Sequence, residues 1–448
     1  MTQAEAKPAG KRHRGEQLEV EIDSLAFGGR GVARADGMVV FVAGALPGDR
    51  VRAEVTKAKR RFAEARTVEL LRPGAERVAD RCAHGGEPCP GAPWQGLPYE
   101  RQLSHKQEQV GEALRRIGGL DRFELEPIEP ATEQWRYRNK LEYSFGEDAE
   151  GEPILGFHAR GRWDLIVDVE DCLLASEAGN AARNKVREWA RLEAVSTYDG
   201  RSHEGALRNL VVREGRRTGQ VQTRLVTSAA RFPKPPVDLH TVIEGASGGT
   251  DGPTGVLGEE RLREEVCGLK LEMSHGAFFQ TNTEMAERLY AVAAQYAGLS
   301  GSERVFDLYC GIGTIGLTMA GRAGEVWGLE IVPEAIADAE RNAEANGIAN
   351  ARFVAGNART GVRPLIEQAG KPDVVVIDPP RAGLSQKIVR RVIECEAPRI
   401  VYVSCNPTTL APNAAQLTEA GYTLRRVKPV DMFPQTPHIE CVALFDRE

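Results

Sequence analysis

The chain has 448 residues, of which 42% are hydrophobic and 27% are charged, and its formal net charge is −6 at pH 7. That length predicts two to four domains, and the negative charge argues against a protein that simply coats nucleic acid, while leaving room for a local basic face. No apolar run approaches the ~20 residues that span a bilayer, and the eight cysteines are too sparse for a disulfide framework, so a cytoplasmic protein without a membrane segment is expected.

The N-terminal region is predicted to be a disordered basic tail followed by a small β-barrel. Residues 1–15 carry positive charges but no apolar segment, so they do not form a secretory signal. Residues 16–72 alternate at the strand period between Gly- and Pro-containing turns. The stretch "KAKRRFAEAR" gives this barrel a basic edge, which is typical of OB-type RNA-binding modules, although a solvated charged strand fits the same pattern. The candidate RNA-binding residues in it are Lys57, Lys59, Arg60 and Arg61.

Residues 73–280 are predicted to form a central, mixed α+β domain that contains the clustered cysteines. The sequence "YERQLSHKQEQVGEALRRIGG" repeats apolar residues at helical spacing and ends at two glycines, which predicts a helix. Further on, "WRYRNKLEYSFG" alternates like a strand with one Arg-rich face. We therefore take Arg136, Arg138 and Lys140 as further candidate contacts to RNA.

Residues 281–448 are predicted to form an α/β domain with a largely parallel sheet. Thr281 and Glu284 have the spacing of a capping box, so a helix is expected to begin near Thr281. Strands and helices alternate after residue 300, as they do in sheets that are covered by helices on both faces. The last two strands, "YTLRRVKPV" and "HIECVALF", are joined by a short link and should pair as a hairpin at one edge.

The Gly-rich stretch "GIGTIG" follows the first strand of that domain and matches the dinucleotide-binding pattern, with Glu330 about 20 residues further on. Two carboxylates favour S-adenosylmethionine over a nicotinamide dinucleotide. Asp307 lies inside the strand before the loop and Asp378 follows a later strand in "DPPR". Both would repel a pyrophosphate, whereas a ligand with an amino group and no phosphate suits them. Carboxylates at such turns also serve as helix caps, which is the structural alternative.

Cys405 ends the buried strand "VYVS" and is followed by Asn406 and Pro407. Ligands of open α/β sheets bind beyond the carboxyl ends of the parallel strands, so the thiol is expected on the same rim as Asp378 and the glycine loop. Asn406 and Pro407 have the pattern of an N-cap and a first helical residue. The N–H groups of a helix N-terminus would lower the thiol pKa and favour a thiolate. Cysteines are also common in cores as small hydrophobic residues.

Glu440 is a carboxylate in an otherwise apolar final strand, where a charge is unfavourable unless it is paired or functional. If this strand runs antiparallel to its neighbours, its first residues lie beside Cys405; an edge salt bridge is the alternative. The two side chains suit methylation of uracil at C5, an atom that is too weakly nucleophilic to take a methyl group directly. A thiolate that adds to C6 makes C5 enolate-like, and a base then removes the C5 proton. The target base must leave its stack to reach such a site.

At these residues the sequence resembles the RNA uracil-5 methyltransferases, specifically the 23S ribosomal RNA branch with an N-terminal TRAM domain. The stretches "FFQTN", "DLYCGIGT", "DPPRAG", "SCNP" and "HIECVALF" occur in the order found in that family. The resemblance implies a TRAM barrel in residues 16–72, a class I, Rossmann-like methyltransferase domain in residues 281–448, and 23S ribosomal RNA as the partner. It implies that Cys405 is the nucleophile and Glu440 the proton acceptor. The residues that it implies for S-adenosylmethionine binding are Gln280, Tyr309, Thr314, Glu330, Asn357 and Asp378.

The same resemblance implies a [4Fe–4S] cluster, which ribosomal members usually hold through three cysteines in a short run and a fourth downstream. Cys82, Cys89 and Cys172 fit this arrangement, but Ala92 occupies the position of the third ligand. Clusters of this type normally need four thiolates. Three outcomes stay open: a three-cysteine cluster, another ligand such as His84, or a vestigial site. A zinc ion held by His84 and the three cysteines is a further alternative.

The main prediction is an enzyme that methylates C5 of a uridine in 23S ribosomal RNA, and a monomer is expected because nothing in the sequence requires a dimer. Methylation of a transfer-RNA uridine is the alternative substrate, although the TRAM-like barrel and the cysteine region favour ribosomal RNA. The remaining alternatives are a cytosine-5 methyltransferase, a nicotinamide dehydrogenase, and an RNA-binding or assembly factor with a retired active site. The joint presence of Cys405, Glu440 and Asp378 argues against a retired site.

Overall fold

The chain folds into two compact units. The computed structural model describes residues 12–82, 84, 89–228, 232–236, 240–245 and 255–447. Within those residues, the first unit comprises 12–82, 84, 91–109 and 433–438, and the second comprises 89–90, 110–432 and 439–447. The second unit thus contains most of both regions that the sequence analysis treats as separate central and methyltransferase domains. No helix in the described part of the chain is long and apolar enough to cross a bilayer.

The first unit is built on a six-stranded sheet, which confirms the all-β prediction for residues 16–72. Alternate residues of each strand point inward, as in Met38–Ala43, where Met38, Val40 and Val42 are buried and their neighbours are not. The strands are β1 Gln17–Glu21, β2 Ser24–Leu25, β3 Gly31–Ala35, β4 Met38–Ala43, β5 Arg50–Ala58 and β6 Phe62–Arg72. Their order in the sheet is β1-β5-β6-β4-β3-β2.

The end of the predicted disordered tail is ordered in the structure. Arg12 forms ion pairs with Glu16 and Asp36, and Gly15 donates its backbone N–H to Val55 at 2.8 Å. Residues 12–15 therefore extend the β unit, while residues 1–11 lie outside the described residues. The prediction of disorder was wrong for these four residues because their partners come from later strands and cannot be read locally.

The predicted helix after the cysteine region is present as α1, Tyr99–Glu112, which continues into a π-helical turn, Ala113–Ile117. Gly118 ends it, as the sequence predicts. The segment 433–438, which lies far away in sequence, packs in the first unit against the beginning of this helix. The buried side chain of Gln102 on α1 donates to the Gln435 side chain at 2.8 Å, and its oxygen accepts the Gln435 backbone N–H at 2.9 Å.

The second unit contains an antiparallel-rich sheet of seven strands, ordered β10-β9-β8-β11-β12-β13-β14. Helix α2, Glu177–Leu192, covers one face, and the Ser176 hydroxyl caps it by accepting the Gly179 N–H at 2.9 Å. A two-stranded hairpin, β15–β16, follows. The strands are β8 Lys140–Glu147, β9 Pro153–His158, β10 Ile166–Asp168, β11 Leu207–Gly215, β12 Gln220–Thr227, β13 His240–Gly245, β14 Gly255–Leu257, β15 Leu262–Val266 and β16 Leu269–Met273.

The second sheet of this unit has eight strands in the order β19-β18-β17-β20-β21-β23-β22-β7. It contains β7 Glu124–Leu125, β17 Arg304–Leu308, β18 Glu325–Glu330, β19 Ala351–Ala355, β20 Val374–Ile377, β21 Arg399–Ser404, β22 Tyr422–Val430 and β23 Glu440–Arg447. The helices between its strands are α3 Thr283–Ala297, α4 Thr314–Ala320, α5 Pro333–Ala345, α6 Ala358–Ala369, α7 Gln386–Glu394 and α8 Pro407–Glu419.

The five strands β17 to β21 are parallel to one another, and β23 is antiparallel to both β21 and β22. The predicted parallel sheet and terminal hairpin are therefore confirmed. The hairpin does not form the edge, because the short strand β7 pairs outside β22. All four residues of Val374–Ile377 are buried, as expected for a strand that is covered on both faces.

The helix that was predicted to begin near Thr281 begins two residues later. Asn282 is its N-cap and accepts the Met285 N–H at 3.2 Å, and Thr283 is the first helical residue. The Asn282 amide also donates to the Met432 carbonyl at 3.0 Å. The long-range contact therefore selects Asn282 over the capping-box residue Thr281.

Candidate active site

The candidate site lies in the second unit, at the carboxyl ends of the parallel strands. The loop after β17 brings Tyr309 and Gly313 to this rim in the left-handed region, with φ of 67° and 82°. A Cβ at Gly313 would lie 2.9 Å from the Phe353 ring, so only glycine fits there. Tyr309 has a bulky side chain, for which a positive φ is unfavourable. Backbone strain of this kind is common in loops at ligand sites.

Glu330 at the end of β18 organises the glycine loop. One of its carboxylate oxygens accepts the Gly311 N–H at 3.2 Å and the other accepts the Val332 N–H at 3.0 Å. The next two residues, Ile331 and Val332, are exposed although both are apolar. The sequence analysis identified Glu330 but missed this apolar pair, whose only signal was its position directly after the acidic residue.

The other residues implied for the cofactor lie on neighbouring elements. Thr314 is the buried first residue of α4. Asn357 is the N-cap of α6, and its side-chain oxygen accepts the Arg359 N–H at 2.9 Å. Gln280 is buried just before α3, and its backbone carbonyl accepts a hydrogen bond from the Asn139 amide at 2.9 Å. The segment around Gln280 is therefore held by Asn139, the residue just before β8 of the seven-stranded sheet.

A buried carboxyl group, Asp307, and a partly buried one, Asp378, lie at this rim. Asp307 accepts the Gly316 N–H at 2.8 Å through one oxygen, and its other oxygen has no partner among the described residues. Burial raises the pKa of Asp307 to about 7, against the hydrogen bond from Gly316. Burial, with a further contribution from Asp307, also raises the pKa of Asp378 to about 7. Both groups therefore half-titrate near neutral pH.

This arrangement fits S-adenosylmethionine. Its positively charged centres would stabilise the ionised form of carboxyl groups that the protein itself leaves poorly compensated, whereas a pyrophosphate would be repelled. The exposed pair Ile331 and Val332 offers an apolar surface suited to a flat adenine ring, next to the Glu330 carboxylate. The residues present are thus compatible with the methyl donor that the glycine loop and the two aspartates predict.

The structure brings Cys405 and Glu440 together, as the sequence predicts. Strands β21 and β23 are antiparallel neighbours with Ser404 opposite Cys441, so Cys405 and Glu440 are the next positions on the two strands. Asn406 and Pro407 are the N-cap and first residue of α8, and the Asn406 side chain accepts the Thr408 N–H at 3.0 Å. The Asn406 amide also donates to the Arg381 carbonyl at 3.2 Å, which ties the "DPPR" turn to the cysteine.

The expected low pKa of Cys405 is wrong for the ligand-free protein. Burial raises the thiol pKa to about 12, and the negative charges of Glu440 and Asp378 add to the effect, while Arg381 opposes it. The helix N-terminus is present but does not compensate for burial and two nearby carboxyl groups. The thiol is therefore protonated at neutral pH until a ligand changes its surroundings.

Glu440 is 3% exposed, and its Oε2 has no hydrogen-bond partner among the described residues. Burial and the neighbouring Asp378 raise its pKa well above the usual value, and Arg381 again opposes the shift. A buried acceptor without a partner is unfavourable unless a ligand supplies one. The salt-bridge alternative for Glu440 is not what the structure shows, since no ion pair to it forms within the described residues.

Two residues of the site were missed by the sequence analysis. Arg381 supplies the positive charge that opposes the pKa shifts of both Cys405 and Glu440. Phe278 is 65% exposed, whereas Phe279 beside it is buried. An exposed aromatic ring two residues before Gln280 is a suitable stacking surface for a base that has left its stack. The signal for it was the doubled phenylalanine in "FFQTN".

The predicted RNA-binding residues fall into two groups. Lys59, Arg60 and Arg61 are exposed at the tip of the β5–β6 hairpin, and Lys57 nearby forms an ion pair with Glu64 at 3.5 Å. They form the basic edge that the sequence predicts in the first unit. Their contact with RNA stays a prediction.

The second group, in the second unit, is used differently. Arg136 forms an ion pair with Asp171 and donates to the carbonyls of Cys172 and Ala175, so its guanidinium holds the 171–175 turn. Arg138 lies over the Tyr137 ring, with its Cζ 6.0 Å from the ring centroid. Lys140 is half-buried, and burial with the nearby Arg213 lowers its pKa. Arg136 is thus a structural residue here, and the sequence pattern alone did not show this.

The described part of the cysteine region includes Cys82, His84, Cys89 and Cys172. The Cys82 Sγ lies 3.6 Å from the His84 Nδ1, and the Cys172 N–H donates to the Asn180 side chain at 2.9 Å. Within the described residues, which omit 83 and 85–88, no group of three or more His, Cys, Asp or Glu side chains is arranged to hold a metal ion. The iron–sulfur cluster through Cys82, Cys89 and Cys172 stays a prediction.

Comparisons with known proteins show which family the chain belongs to. Residues 259–448 match the family model of tRNA (uracil-5-)-methyltransferases, and residues 11–68 match the TRAM domain. An RNA methyltransferase of Halalkalibacterium halodurans, itself uncharacterised, is 37% identical over 96% of both chains. Another from Porphyromonas gingivalis is 38% identical over 96% of this chain and 99% of its own.

The solved structures include a match over the whole chain. The Pyrococcus abyssi tRNA (uracil-54, C5)-methyltransferase, crystallised with S-adenosyl-L-homocysteine, has a TM-score of 0.77 at 28% identity and covers 96% of this chain and 100% of its own. The resemblance drawn from the sequence motifs is thereby confirmed at the level of the family and of the fold. The chain belongs to the RNA uracil-5 methyltransferase family, with an N-terminal TRAM domain and an S-adenosylmethionine-dependent methyltransferase fold.

Proposed function

We propose that this enzyme methylates C5 of a uridine in 23S ribosomal RNA through a covalent bond between Cys405 and C6 of the base. The observation that carries the proposal is the neighbouring placement of Cys405 and Glu440 on the rim that also holds the glycine loop and Asp378. A nucleophile and a base on one rim are what C5 chemistry requires.

The reaction assigns one task to each residue. The Cys405 thiol loses its proton to water, and the thiolate adds to C6, which moves the electrons of the C5–C6 double bond onto C5 and the adjacent carbonyl. C5 then takes a methyl group, which S-adenosylmethionine supplies from its positively charged sulfonium. The Glu440 carboxylate removes the remaining C5 proton, the double bond re-forms, and the Cys405 thiolate leaves.

The pKa values of the ligand-free site fit this sequence. Burial is the main cause of the raised pKa values of Cys405, Glu440 and Asp378. Negative charge adds to it, from Glu440 and Asp378 at Cys405, from Asp378 at Glu440 and from Asp307 at Asp378. A positive charge on the rim favours the ionised form of all three groups. The site is thus inactive as a nucleophile when empty, and Arg381 is the protein's own contribution to activating it.

The TRAM domain and the cysteine region support 23S ribosomal RNA as the substrate, in keeping with a cytoplasmic location. The alternative substrate is transfer RNA, which is favoured by the likeness to the Pyrococcus abyssi tRNA (uracil-54, C5)-methyltransferase. An iron–sulfur cluster belongs to the ribosomal proposal, although no step of the reaction above uses it.

The test is transfer of labelled methyl from S-adenosylmethionine to unmodified 23S and transfer RNA, by the wild type and by Cys405→Ala. We expect 5-methyluridine in 23S RNA and at least a ~10³-fold loss of rate in the variant, because a nucleophile that is removed is not replaced by water. Label in transfer RNA alone would overturn the ribosomal substrate. A Cys405→Ala protein that still makes 5-methyluridine would overturn the covalent mechanism.

Glu440→Gln tests the second half of the reaction. The amide cannot accept the C5 proton, so the methylated adduct between Cys405 and RNA should accumulate and survive denaturation. Gel electrophoresis in denaturant after incubation with RNA and S-adenosylmethionine measures it. The matched control is the double variant Cys405→Ala/Glu440→Gln, which should give no adduct. Full turnover by Glu440→Gln would assign the proton to another base.

A further inference from the structure

Trp163 is the most exposed tryptophan of the described residues, at 66% of its surface. Trp94, Trp189 and Trp327 are buried, as large aromatic side chains usually are, and Trp135 is intermediate. Trp163 lies in the turn 159–165 between β9 and β10, more than 200 residues before Cys405 in the sequence. Exposed tryptophans are enriched at interfaces, because the ring offers a large surface on which a binding partner can pack.

The turn around Trp163 contacts a second segment, residues 198–208, which consists of a loop and the first two residues of β11. The Arg201 guanidinium lies over the Trp163 ring, with its Cζ 5.4 Å from the ring centroid, and forms an ion pair with Asp164 at 3.7 Å. A Cβ placed on Gly200 would lie 4.0 Å from the Trp163 ring. We call these two segments, 159–165 and 198–208, the Trp163 surface.

A second aromatic–arginine pair lies on the same surface. The Arg208 guanidinium lies over the Tyr198 ring at 4.3 Å, and the Tyr198 hydroxyl is 2.9 Å from the His203 Nδ1. The loop is also held internally, since the Asp199 carboxylate accepts the Arg201 N–H at 2.8 Å. The Trp163 surface thus presents two aromatic rings, each with an arginine against it, on a loop that is braced by its own hydrogen bonds.

The charges of this surface favour an anionic partner. The Arg162 and Arg201 side chains are 59% and 69% exposed, whereas Asp164, which pairs with both, is only 26% exposed. Asp199 is engaged by the N–H of Arg201 and the hydroxyl of Ser202. The Arg162 and Arg201 guanidinium groups are therefore more exposed than the Asp164 carboxylate that pairs with them, whereas Asp199 and Glu204 are exposed acidic residues of the same surface. Alternating aromatic rings and arginines are the side chains on which unpaired bases stack and phosphates bind.

We infer that the Trp163 surface binds unpaired nucleotides of the RNA substrate, with Trp163 as a stacking surface for a base and Arg162 and Arg201 as contacts to phosphates. The inference rests on the proposed function, since it concerns how the same RNA is held, and it places a recognition surface in the second unit in addition to the TRAM domain. It predicts binding that depends on single-stranded character, because a base within a duplex has no face to offer.

The test measures binding of a single-stranded ten-nucleotide oligouridylate, and of a duplex of the same length, to full-length protein without S-adenosylmethionine. Trp163→Ala should bind the single strand roughly 5- to 100-fold more weakly, which is the usual range for one lost base stack. Trp163→Phe keeps a ring and should lose only a few-fold. The matched control, Ile117→Ala, removes another exposed apolar side chain of the second unit and should bind like the wild type.

Two further readouts separate stacking from a general loss of affinity. Oligouridylate should quench tryptophan fluorescence of the wild type, and the quench should be smaller in Trp163→Phe, which still binds. Arg162→Gln should flatten the dependence of log Kd on log salt by about 0.7 if one phosphate contact is lost. Equal melting temperatures for all variants exclude unfolding as the cause.

Binding by Trp163→Ala that equals the wild type, with an unchanged quench, would overturn the inference and leave this surface to a protein partner. Equal loss for single-stranded and duplex RNA would also overturn it, because stacking on an unpaired base would then not be involved. Failure of the methylation proposal is separate, because binding is measured without S-adenosylmethionine: weaker single-strand binding by Trp163→Ala supports the inference whether or not the wild type forms 5-methyluridine.

Discussion

Two buried aspartates of the α/β region have pKa values shifted in opposite directions. Asp307 on β17 and Asp338 on α5 are both fully buried. Asp307 accepts one backbone N–H, and burial raises its pKa to about 7. Burial acts on Asp338 in the same direction, but hydrogen bonds from the Ser274 N–H, Arg341 and Arg261 outweigh it and lower its pKa. Burial alone therefore does not identify a functional carboxylate; the absence of partners does.

Asp338 is part of a row of side chains on α5 that accept backbone hydrogen bonds from β16 and the residue after it. Asp338, Asn342 and Asn346 are spaced by four residues and lie on one face of the helix. They accept the backbone N–H groups of Ser274, Glu272 and Lys270, at 2.8, 2.8 and 2.9 Å. We call these three residues the α5 row; it pairs β16 as a neighbouring strand would.

The α5 row also contacts the glycine loop, since the Asn342 amide donates to the Ile312 carbonyl at 3.2 Å. It therefore fixes the chain just before "FFQTN" relative to the glycine loop. The rim, with Asp307, Asp378 and Glu440, is built the other way, with carboxyl groups whose partners are few. The polar groups of the α5 row find their hydrogen-bond partners within the protein, whereas Asp307 and Glu440 on the rim each have an oxygen without a partner among the described residues.

The largest effect on stability is expected from Asp338→Ala. It leaves the Ser274 N–H without its acceptor and two arginines without their carboxylate, which should lower the free energy of unfolding by about 2–4 kcal/mol. The pKa of Asp338 is lowered on folding, so its contribution is present above the unfolded pKa and is lost as pH falls below it. Urea unfolding at pH 7.5 measures the difference.

The control for that variant is Asp338→Asn, which keeps an acceptor for Ser274 and loses only the charge. It should be destabilised less than Asp338→Ala. Both variants should bind S-adenosylmethionine with near-normal affinity once folded, because neither side chain is among the rim residues. A stable Asp338→Ala protein would contradict the distinction drawn between the two aspartates.

The sequence revealed the rim because its charged residues interrupt apolar strands. Asp307 in "VFDLYC", Asp378 in "VVVIDPP" and Glu440 in "HIECVALF" stand out, since a carboxylate in a buried strand is unfavourable without a function. The strand–helix alternation then brings them to one edge. The fold class, the glycine loop and the neighbouring positions of Cys405 and Glu440 were predictable for this local reason.

The α5 row was not predictable in the same way. Asp338 in "EAIADAERNAEANG" looks like any acidic residue of a surface helix, and its partners Arg261 and Ser274 lie 77 and 64 positions away. The high pKa of Cys405 was missed for the same reason. The local pattern shows a helix N-terminus, whereas the burial and the nearby Glu440 that decide the pKa come from the tertiary structure.

A smaller effect of opposite sign is expected for Asp307→Asn. The pKa of Asp307 is higher in the folded protein than in the unfolded chain, so its contribution to stability is fully present below the unfolded pKa and is lost as pH rises through about 7. The amide carries no charge and still accepts the Gly316 N–H. We expect the variant to be more stable than the wild type at pH 8, by about 1–3 kcal/mol, and little different at pH 4.

Urea unfolding of both proteins without ligand at pH 4, 6 and 8 measures this pH dependence. The same variant should bind S-adenosylmethionine more weakly than the wild type at pH 8. This measurement distinguishes a carboxylate that interacts with S-adenosylmethionine from one that only destabilises the folded protein. An Asp307→Asn protein that is destabilised equally at every pH would show that the charge is already compensated within the protein.

The smallest effect concerns the ligand's charge. S-adenosylmethionine carries a sulfonium charge that S-adenosylhomocysteine lacks, and the Asp307 and Asp378 carboxyl groups ionise through about pH 7 in the ligand-free site. The preference for the methionine form should therefore increase by about 3- to 10-fold between pH 6 and pH 8. Calorimetric titration with both ligands measures it, and Asp307→Asn should weaken the trend. A constant ratio across this range would mean that the rim carboxyl groups keep one protonation state, and the contrast with Asp338 would then rest on hydrogen bonding alone.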